Sequence, residues 1–239
     1  MKLPQSQKIG VLTGDLVGST EYPPELLEGI LKGLQTLVIE LSHRERGRLQ
    51  ANGEPLCYDS LHVFRGDGWQ LVTPPSPSAV LTVATFIRTF VRFASDTIPC
   101  DSRVGISIGS HQGIDLKKSA SYQGAVFTTS GLILEEHMKE QHQRMAFWSQ
   151  PGHSELRFFA SSVLLLDHLI RSWTPGQCQA VHYALLGYTQ AETGKNWRQN
   201  LTSDKPISKA AVGQHLKAAD YTTLERFLVT MESEERGLE

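Results

Sequence analysis

Apolar residues in the first 150 positions follow two spacings, one typical of strands and one typical of helices. Compact apolar runs predict strands at 8–12, 57–64, 69–72, 101–110 and 145–148. Helical spacing predicts helices at about 23–43, 74–93 and 126–141. The resulting order, β-α-β-β-α-β-α-β with a hairpin between the second and third strands, predicts an α+β fold. Its first part is expected to be a ferredoxin-like antiparallel sheet with helices on one face.

The rest of the chain has the pattern of short helices. Ser149–His153 is rich in turn residues and is the natural boundary. Thr174 and Pro175 suit the cap and first position of a helix, Thr189 suits the cap of a second, and a third opens at Ile207. We therefore expect two domains, at 1–150 and 161–236, the second of them all-α.

Composition narrows the class of protein. The 239 residues carry a net charge of -2, which averages two unlike regions. The cysteines are odd in number and widely spaced, so reduced, buried thiols are expected rather than disulfides or a zinc site: Cys57, Cys100 and Cys178. Because no apolar run suits a signal peptide or a membrane span, we expect a cytoplasmic protein with no membrane partner.

Two aspartates stand at points where the predicted sheet could bring them together. Asp15 follows the first strand, and Asp67 lies at the tip of the hairpin. In a ferredoxin-like sheet these strands are central neighbours, so the carboxylates could hold Mg²⁺ or Mn²⁺ while substrate phosphates complete the coordination. The alternative is that the aspartate of a Gly-Asp-Gly turn is only a turn former. Residues that could contact a nucleotide surround the pair: Gly14, Gly18, Ser19, Thr20, Arg65, Gly66 and Gly68.

The third C-terminal helix has one polar face. Its predicted outward residues are suited to phosphates and to base edges in a major groove: Ser208, Lys209, Gln214, His215 and Lys217. Five cationic residues lie between Lys195 and Lys217, against Asp204 alone. This local excess favours DNA binding, and the alternative is an ordinary helical bundle with a solvated face.

Both halves resemble known families. WTPGQCQAVHYALLGYTQAETGK and ISKAAVGQHLKAADY resemble sigma-factor-type helix-turn-helix domains, with about eight residues, 198–205, inserted between the second and third helices. GDLVGST and FRGDGWQLV resemble the metal-binding motifs of class III nucleotidyl cyclases, and RVGISIG and YQGAVFTTSGLILEE follow in the order that cyclases use. The whole chain resembles the SatD family, which joins a cyclase-like domain to a C-terminal helix-turn-helix.

The departures from the cyclase pattern bear on activity. Cyclases use a lysine and an aspartate to select the base, and an asparagine and an arginine to stabilise the transition state. The corresponding positions here are Val63, Ser121, Thr128 and Leu132. Loss of the charged groups removes the stabilisation on which phosphoryl transfer depends. Arg65, Arg103, Lys117 and Lys118 are left as candidate phosphate contacts.

Three interpretations stay open at this point. The first is a DNA-binding regulator whose cyclase-like domain senses a nucleotide, a divalent metal or both. The second is a divergent nucleotidyl cyclase or nucleotidyltransferase that uses Mg²⁺ held by the two aspartates. The third is a protein-interaction scaffold. Because cyclase-like domains pair and DNA readers of this kind bind as two-fold dimers, the resemblance also implies a homodimer.

Overall fold

The computed structural model describes residues 2–3, 7–43, 55–118, 122, 124–137, 143–148, 157–201 and 203–237. Its strands are β1 (Lys2–Leu3), β2 (Lys8–Leu16), β3 (His62–Phe64), β4 (Gly68–Thr73), β5 (Ser102–Ser110), β6 (Ile114–Asp115), β7 (Met145–Trp148), β8 (Arg198–Asn200) and β9 (Ser203–Asp204). Its α-helices are α1 (Pro24–His43), α2 (Pro77–Arg92), α3 (Ala125–Leu132), α4 (Arg157–Ser172), α5 (Pro175–Leu185), α6 (Gln190–Lys195), α7 (Lys209–Ala218) and α8 (Tyr221–Gly237). The mixed α+β class is confirmed. The predicted boundary at Ser149–His153 lies outside the described residues.

A five-stranded sheet with the order β3-β4-β2-β5-β7 organises the first part of the chain. The pairs among β3, β4, β2 and β5 are antiparallel, but β5 and β7 are parallel. The sheet is therefore mixed, and the prediction of a purely antiparallel sheet is wrong at its last strand. The connection from β5 to β7 passes through α3 and returns the chain in the same direction, which gives a parallel pair.

Helices cover both faces of this sheet, so the prediction of helices on one face is also wrong. Leu12 and Leu16 of β2 join the large apolar cluster formed with α1 and α2. Ile9 and Val11, which alternate with them, pack instead with Val126 and other α3 residues. Because successive strand residues point to opposite faces, a central strand that is apolar at both parities needs a cover on each side.

The large apolar cluster continues from the sheet into the C-terminal helices. α2 is buried along nearly its whole length, from Ser78 to Val91. Residues of α4, α5 and α8 belong to the same cluster, among them Ile170, Val181 and Leu228. α2 therefore packs against the sheet and also against the C-terminal helices. The domain limits at 1–150 and 161–236 stay predictions.

A buried charge network joins the same elements. Fully buried Arg88 donates from Nε and Nη2 to Asp101 at 3.0 and 2.7 Å, and from Nη1 to Asp167 Oδ1 at 2.6 Å. Arg92 donates to Asp101 at 2.8 Å and to the carbonyl of Trp173 at 2.6 Å. Burial alone would raise the pKa of Asp101, but Arg88 and Arg92 outweigh it and hold that pKa below its ordinary value. Removing one partner of such a buried pair is costly, because the other charge stays desolvated.

Several local predictions can be compared with the described elements. The helix to His43 and the strand at Met145–Trp148 are confirmed. The strand predicted at 57–64 is regular only in β3, and the helix predicted to 141 leaves α geometry after Leu132 for a π-helical turn at Ile133–His137. The three cysteines are free and buried, as expected. No helix in the described part of the chain is long and apolar enough to cross a membrane.

Candidate functional site

Asp15 and Asp67, here called the acidic pair, lie at one end of the sheet. Asp15 is the penultimate residue of β2, and Asp67 lies in the turn that leads into β4. β2 and β4 are neighbours, with Gly14 opposite Trp69 in their register. The sequence prediction that the two aspartates belong to adjacent central strands therefore agrees with the strand pairing.

Arg103, named from the sequence only as a candidate phosphate contact, forms an ion pair with Asp15. It lies directly opposite Asp15 in the β2–β5 register. Its Nε donates to Asp15 Oδ1 at 2.8 Å, and its Nη2 donates to Asp15 Oδ2. These hydrogen bonds raise the pKa of Arg103 against its partial burial, and the charges of Asp15 and Asp67 add to the effect. One guanidinium thus balances charge at the acidic pair. Opposite charges are favourable in a cross-strand pair, but this pair becomes visible only once the register of β2 and β5 is known.

Asp67 has a partner from the loop after β2. Ser19 Oγ donates to Asp67 Oδ2. Gly18, one residue earlier, has a φ of 68°, and Gly66, one residue before Asp67, has a φ of 87°. No atom would contact an added side-chain carbon at either glycine. These two turns need glycine for their backbone conformation, and the space above both is open.

The other predicted nucleotide contacts differ in their surroundings. Gly14 is buried, and a side-chain carbon there would clash with the Trp69 ring at 2.2 Å and the Arg103 carbonyl at 2.5 Å. Close strand packing therefore accounts for Gly14 without a ligand. Thr20 and Arg65 are exposed, and Arg65 has a φ of 52° in the hairpin turn. Gly68 is buried against Phe64.

The acidic pair offers limited donors to a metal ion. Both oxygens of Asp15 accept from Arg103, and one oxygen of Asp67 accepts from Ser19. Among the described residues, no group of three or more His, Cys, Asp or Glu side chains could hold a metal. The described arrangement therefore does not fit a divalent ion while Arg103 stays on Asp15, and Mg²⁺ or Mn²⁺ binding stays a prediction.

The positions at which cyclases carry their base-selecting and catalytic groups are apolar or uncharged and face outward where they are described. Val63 is 37% exposed and Leu132 is 44% exposed. Thr128 is exposed as well, and Ser121 lies outside the described residues. The candidate phosphate contacts Lys117 and Lys118 are exposed after β6.

Helices α5, α6 and α7 form a packed unit in the second half, and their predicted caps are confirmed. Thr174 and Thr189 each form a reciprocal capping box, with Gln177 and Glu192 respectively. Two glycines allow the helices to approach closely. A side-chain carbon at Gly194 would lie 2.5 Å from the carbonyl oxygen of Ile207, and one at Gly176 would lie 2.8 Å from the His215 ring.

The described residues of the insertion, 198–201 and 203–205, form a hairpin that leaves and rejoins the helical unit at one place. β8 and β9 pair antiparallel, and Lys205 N donates to the Trp197 carbonyl at 2.8 Å. Ile207 N then donates to the Gly194 carbonyl at 3.0 Å, so α7 begins beside α6. The insertion therefore does not separate the start of α7 from α6.

The outward face of α7 differs from the prediction at one residue. Ser208, Lys209, Gln214 and Lys217 are exposed, and the Ser208 side chain caps the helix at Ala211 N. His215, predicted to point outward, instead stacks on Trp197 with ring centroids 5.1 Å apart. Its partial burial lowers its pKa. Stacking on the large apolar indole of Trp197 therefore holds the His215 ring against the protein and not out in solvent.

Comparisons with known proteins give little beyond these observations. No protein-family model matches the chain, and no curated protein matches it. A solved structure of a bacterial light-regulated adenylyl cyclase is similar with a TM-score of 0.40 and 12% identity, over 59% of this chain and 75% of that chain. A likeness at this level carries no argument about what the present chain binds or does.

Proposed function

We propose that this chain is a DNA-binding regulator whose sheet segment senses a nucleotide at the acidic pair. In this proposal α5–α7 act as a helix-turn-helix unit and the sheet as a ferredoxin-like, cyclase-type sensor. The domain combination is the one implied by the resemblance to the SatD family. If the chain does not bind DNA, the alternative is that the same helices act as a protein-interaction module.

The exposed face of α7 is the observation that carries the DNA-binding part. Val212 is fully buried, while Lys209, Gln214 and Lys217 of the same helix are exposed. A helix that is held from behind by two others and presents cationic and amide groups suits a major groove. The surrounding cations Lys195 and Arg198 are exposed too.

Contacts between the halves support coupling of the sensor to the helices. Leu201 N of the β8–β9 hairpin donates to the Ala94 carbonyl at 3.3 Å, and Gln199 donates to Asp96 at 2.8 Å. Both acceptors follow α2, which is packed against the sheet. A change at the sheet can thus reach the connection that positions α7 through packed elements and hydrogen bonds.

Selection from a random-sequence duplex library tests the DNA-binding part. The purified chain should enrich a common sequence over several rounds, and a variant with Lys209→Ala and Lys217→Ala should not. Selection in the presence and absence of ATP and GTP tests the sensing part. Failure to enrich any sequence under all these conditions would count against the regulator.

The second candidate is a divergent nucleotidyl cyclase or nucleotidyltransferase. It is favoured by the position of Asp15 near the end of β2 and of Asp67 in the turn that leads into the adjacent β4. The four nucleoside triphosphates with Mg²⁺ or Mn²⁺ should then yield a cyclic or transferred nucleotide, detected by mass spectrometry. Asp15→Asn should abolish that product. Binding by thermal shift without any product would favour the sensor over the enzyme.

A homodimer is part of the proposal. Phe158 and Leu165 of α4 are 82% and 71% exposed, which is unusual for large apolar side chains seven residues apart on one helix. Their burial between two copies would complete a two-fold assembly. Light scattering at micromolar concentration should give twice the mass of one chain for wild type. The Leu165→Asp variant should have the mass of a single chain.

A further inference from the structure

The last residue of α2 holds three separate parts of the chain. Arg92 Nη1 donates to Asp101 Oδ2, just before β5, at 2.8 Å. Its Nη2 donates at 2.6 Å to the carbonyl of Trp173, which lies between α4 and α5, and its Nε donates at 3.4 Å to Cys178 Sγ of α5. The Arg92 side chain is only 17% exposed, so these hydrogen bonds face little competition from water.

Asp101 connects Arg92 to the acidic pair. The other oxygen of this carboxylate, Oδ1, accepts from Ser102 N at 2.8 Å, and Ser102 Oγ donates to the Asp15 carbonyl at 2.7 Å. Trp69 Nε1 donates to the same hydroxyl at 3.2 Å. Ser102 and Trp69 are fully buried. Successive hydrogen bonds therefore join the backbone at Asp15 to the guanidinium at the end of α2.

Trp173 extends this series of hydrogen bonds to the C-terminal end of α7. Its Nε1 donates to the carbonyl of Ala219 at 3.0 Å. Ala219 is the C-cap of α7, and both residues are buried. The last carbonyls of a helix have no partner within the helix, and the indole supplies one here. The residue that Arg92 holds thus fixes the end of α7.

The residues that directly follow Arg92 are connected to the opposite end of α7. The β8–β9 hairpin leads into the N-terminal end of this helix. Its residues donate to the Ala94 carbonyl at 3.3 Å and to Asp96 Oδ2 at 2.8 Å. Residues 92–96, here called the α2 end, are therefore connected to both ends of α7 and, through Asp101, to the acidic pair.

We propose that the α2 end is a relay, in which a change of charge at the acidic pair moves Asp101 and Arg92 and, with them, α7. The use of this relay by a nucleotide to regulate DNA binding rests on the proposed function, but the relay itself does not. The alternative is a rigid brace, in which the same hydrogen bonds hold the two halves together and transmit nothing.

The four tryptophan indoles are probes at different points of the molecule, so NMR of the chain labelled with ¹⁵N-tryptophan tests the relay. Asp15→Asn changes the charge of the acidic pair. It should shift the Nε1–H resonances of Trp69 in β4, of Trp173 at the end of α7 and of Trp197, which stacks on α7. Trp148 of β7, whose side chain is 38% exposed, is the control and should not shift.

A second substitution interrupts the relay in its middle. In the Arg92→Gln background, Asp15→Asn should still shift the Trp69 resonance but should no longer shift that of Trp173. This double-mutant cycle cancels any direct effect of the Asp15 charge through space. Arg226→Gln makes the same charge change at an exposed position of α8 and should leave the Trp173 response intact.

Two results would show a rigid brace and overturn the relay. One is a Trp173 resonance that Asp15→Asn does not shift, and this comparison does not depend on whether Arg92→Gln folds. The other is an equal Trp173 shift with and without Arg92.

Titration with ATP separates the relay from the proposed sensor. If ATP shifts no indole while Asp15→Asn shifts Trp173, the relay is supported and nucleotide sensing fails. If ATP shifts Trp69 without Trp173, the relay is contradicted while nucleotide binding stands.

Discussion

Arg88 Nη1 donates to Asp167 Oδ1 across 2.6 Å, and both side chains are almost completely buried. The contact joins α2, which is packed on the sheet, to α4, which begins the C-terminal helices. Arg88 also holds Asp101 at the start of β5. One buried guanidinium therefore ties together three elements from the two halves of the chain.

The first prediction concerns this guanidinium. Arg88→Met should lower the free energy of unfolding by about 3–5 kcal/mol, because Asp101 and Asp167 would keep buried charge with fewer partners. Urea unfolding followed by circular dichroism measures the loss. Arg226→Met, which changes an exposed arginine of α8, is the matched control and should cost less than about 0.5 kcal/mol. Equal losses in the two variants would contradict a structural role for the network.

The second prediction concerns acid stability. The pKa of Asp101 is lower in the folded chain than in the unfolded chain, so its ionised form stabilises the fold. That stabilisation is complete above the unfolded value of about 3.9 and is lost as the pH falls from there through the folded value. Urea midpoints measured from pH 7 to pH 2.5 should fall more steeply below about pH 4 in wild type than in Asp101→Asn. If the urea midpoints of wild type and Asp101→Asn fall in parallel as the pH is lowered, Asp101 does not contribute to the loss of stability in acid.

The third prediction concerns the last turn of α8. Glu235 accepts from Ser78 N at 2.6 Å and from Ser76 Oγ at 2.6 Å, and so caps the start of α2. Glu235→Ala should lower stability by about 1–2 kcal/mol, since it removes charged acceptors from a helix N-terminus. The neighbouring exposed residue supplies the control, Glu234→Ala, with an effect within about 0.5 kcal/mol. If Glu234→Ala is destabilised as much as Glu235→Ala, Glu235 does not act as a specific cap of α2.

The fourth prediction concerns the acidic pair. Arg103→Ala should strengthen Mn²⁺ binding by at least about tenfold, because it releases both oxygens of Asp15 and removes a positive charge beside them. Electron paramagnetic resonance of free Mn²⁺ gives the affinity. Arg65→Ala, at an exposed turn position, should change it much less. Unchanged Mn²⁺ affinity in Arg103→Ala would mean that Asp15 and Asp67 do not form a metal site.

Much of the sheet was predictable because its signals are local. Helical spacing gave α1, and turn chemistry gave the hairpin that places Asp67 beside the strand of Asp15. The cover on the second face was also signalled, since Ile9, Val11 and Leu12 make β2 apolar at both parities. A strictly alternating central strand would have been needed for helices on one face.

The contacts that position the candidate sites could not be predicted in the same way, because each depends on register or on distant packing. Arg103 meets Asp15 only in the antiparallel register of β2 and β5. Arg88 lies in α2, which is buried on all sides. From sequence alone, an arginine is normally expected to be at the surface. His215 is a polar residue in the sequence, and the indole that stacks on it, that of Trp197, lies in the connection between α6 and β8.

Binding of α7 to DNA is the central claim, and the salt dependence of that binding tests it most directly. Fluorescence anisotropy with the selected duplex, at several salt concentrations, gives the slope of log affinity against log salt. The variant carrying Lys209→Ala and Lys217→Ala should lose about two units of slope, as two phosphate contacts are removed. Lys8→Ala with Lys32→Ala makes the same charge change at exposed positions of β2 and α1 and should keep the wild-type slope. Absence of salt-dependent binding by wild type, or an equal loss of slope in both double variants, would contradict the claim.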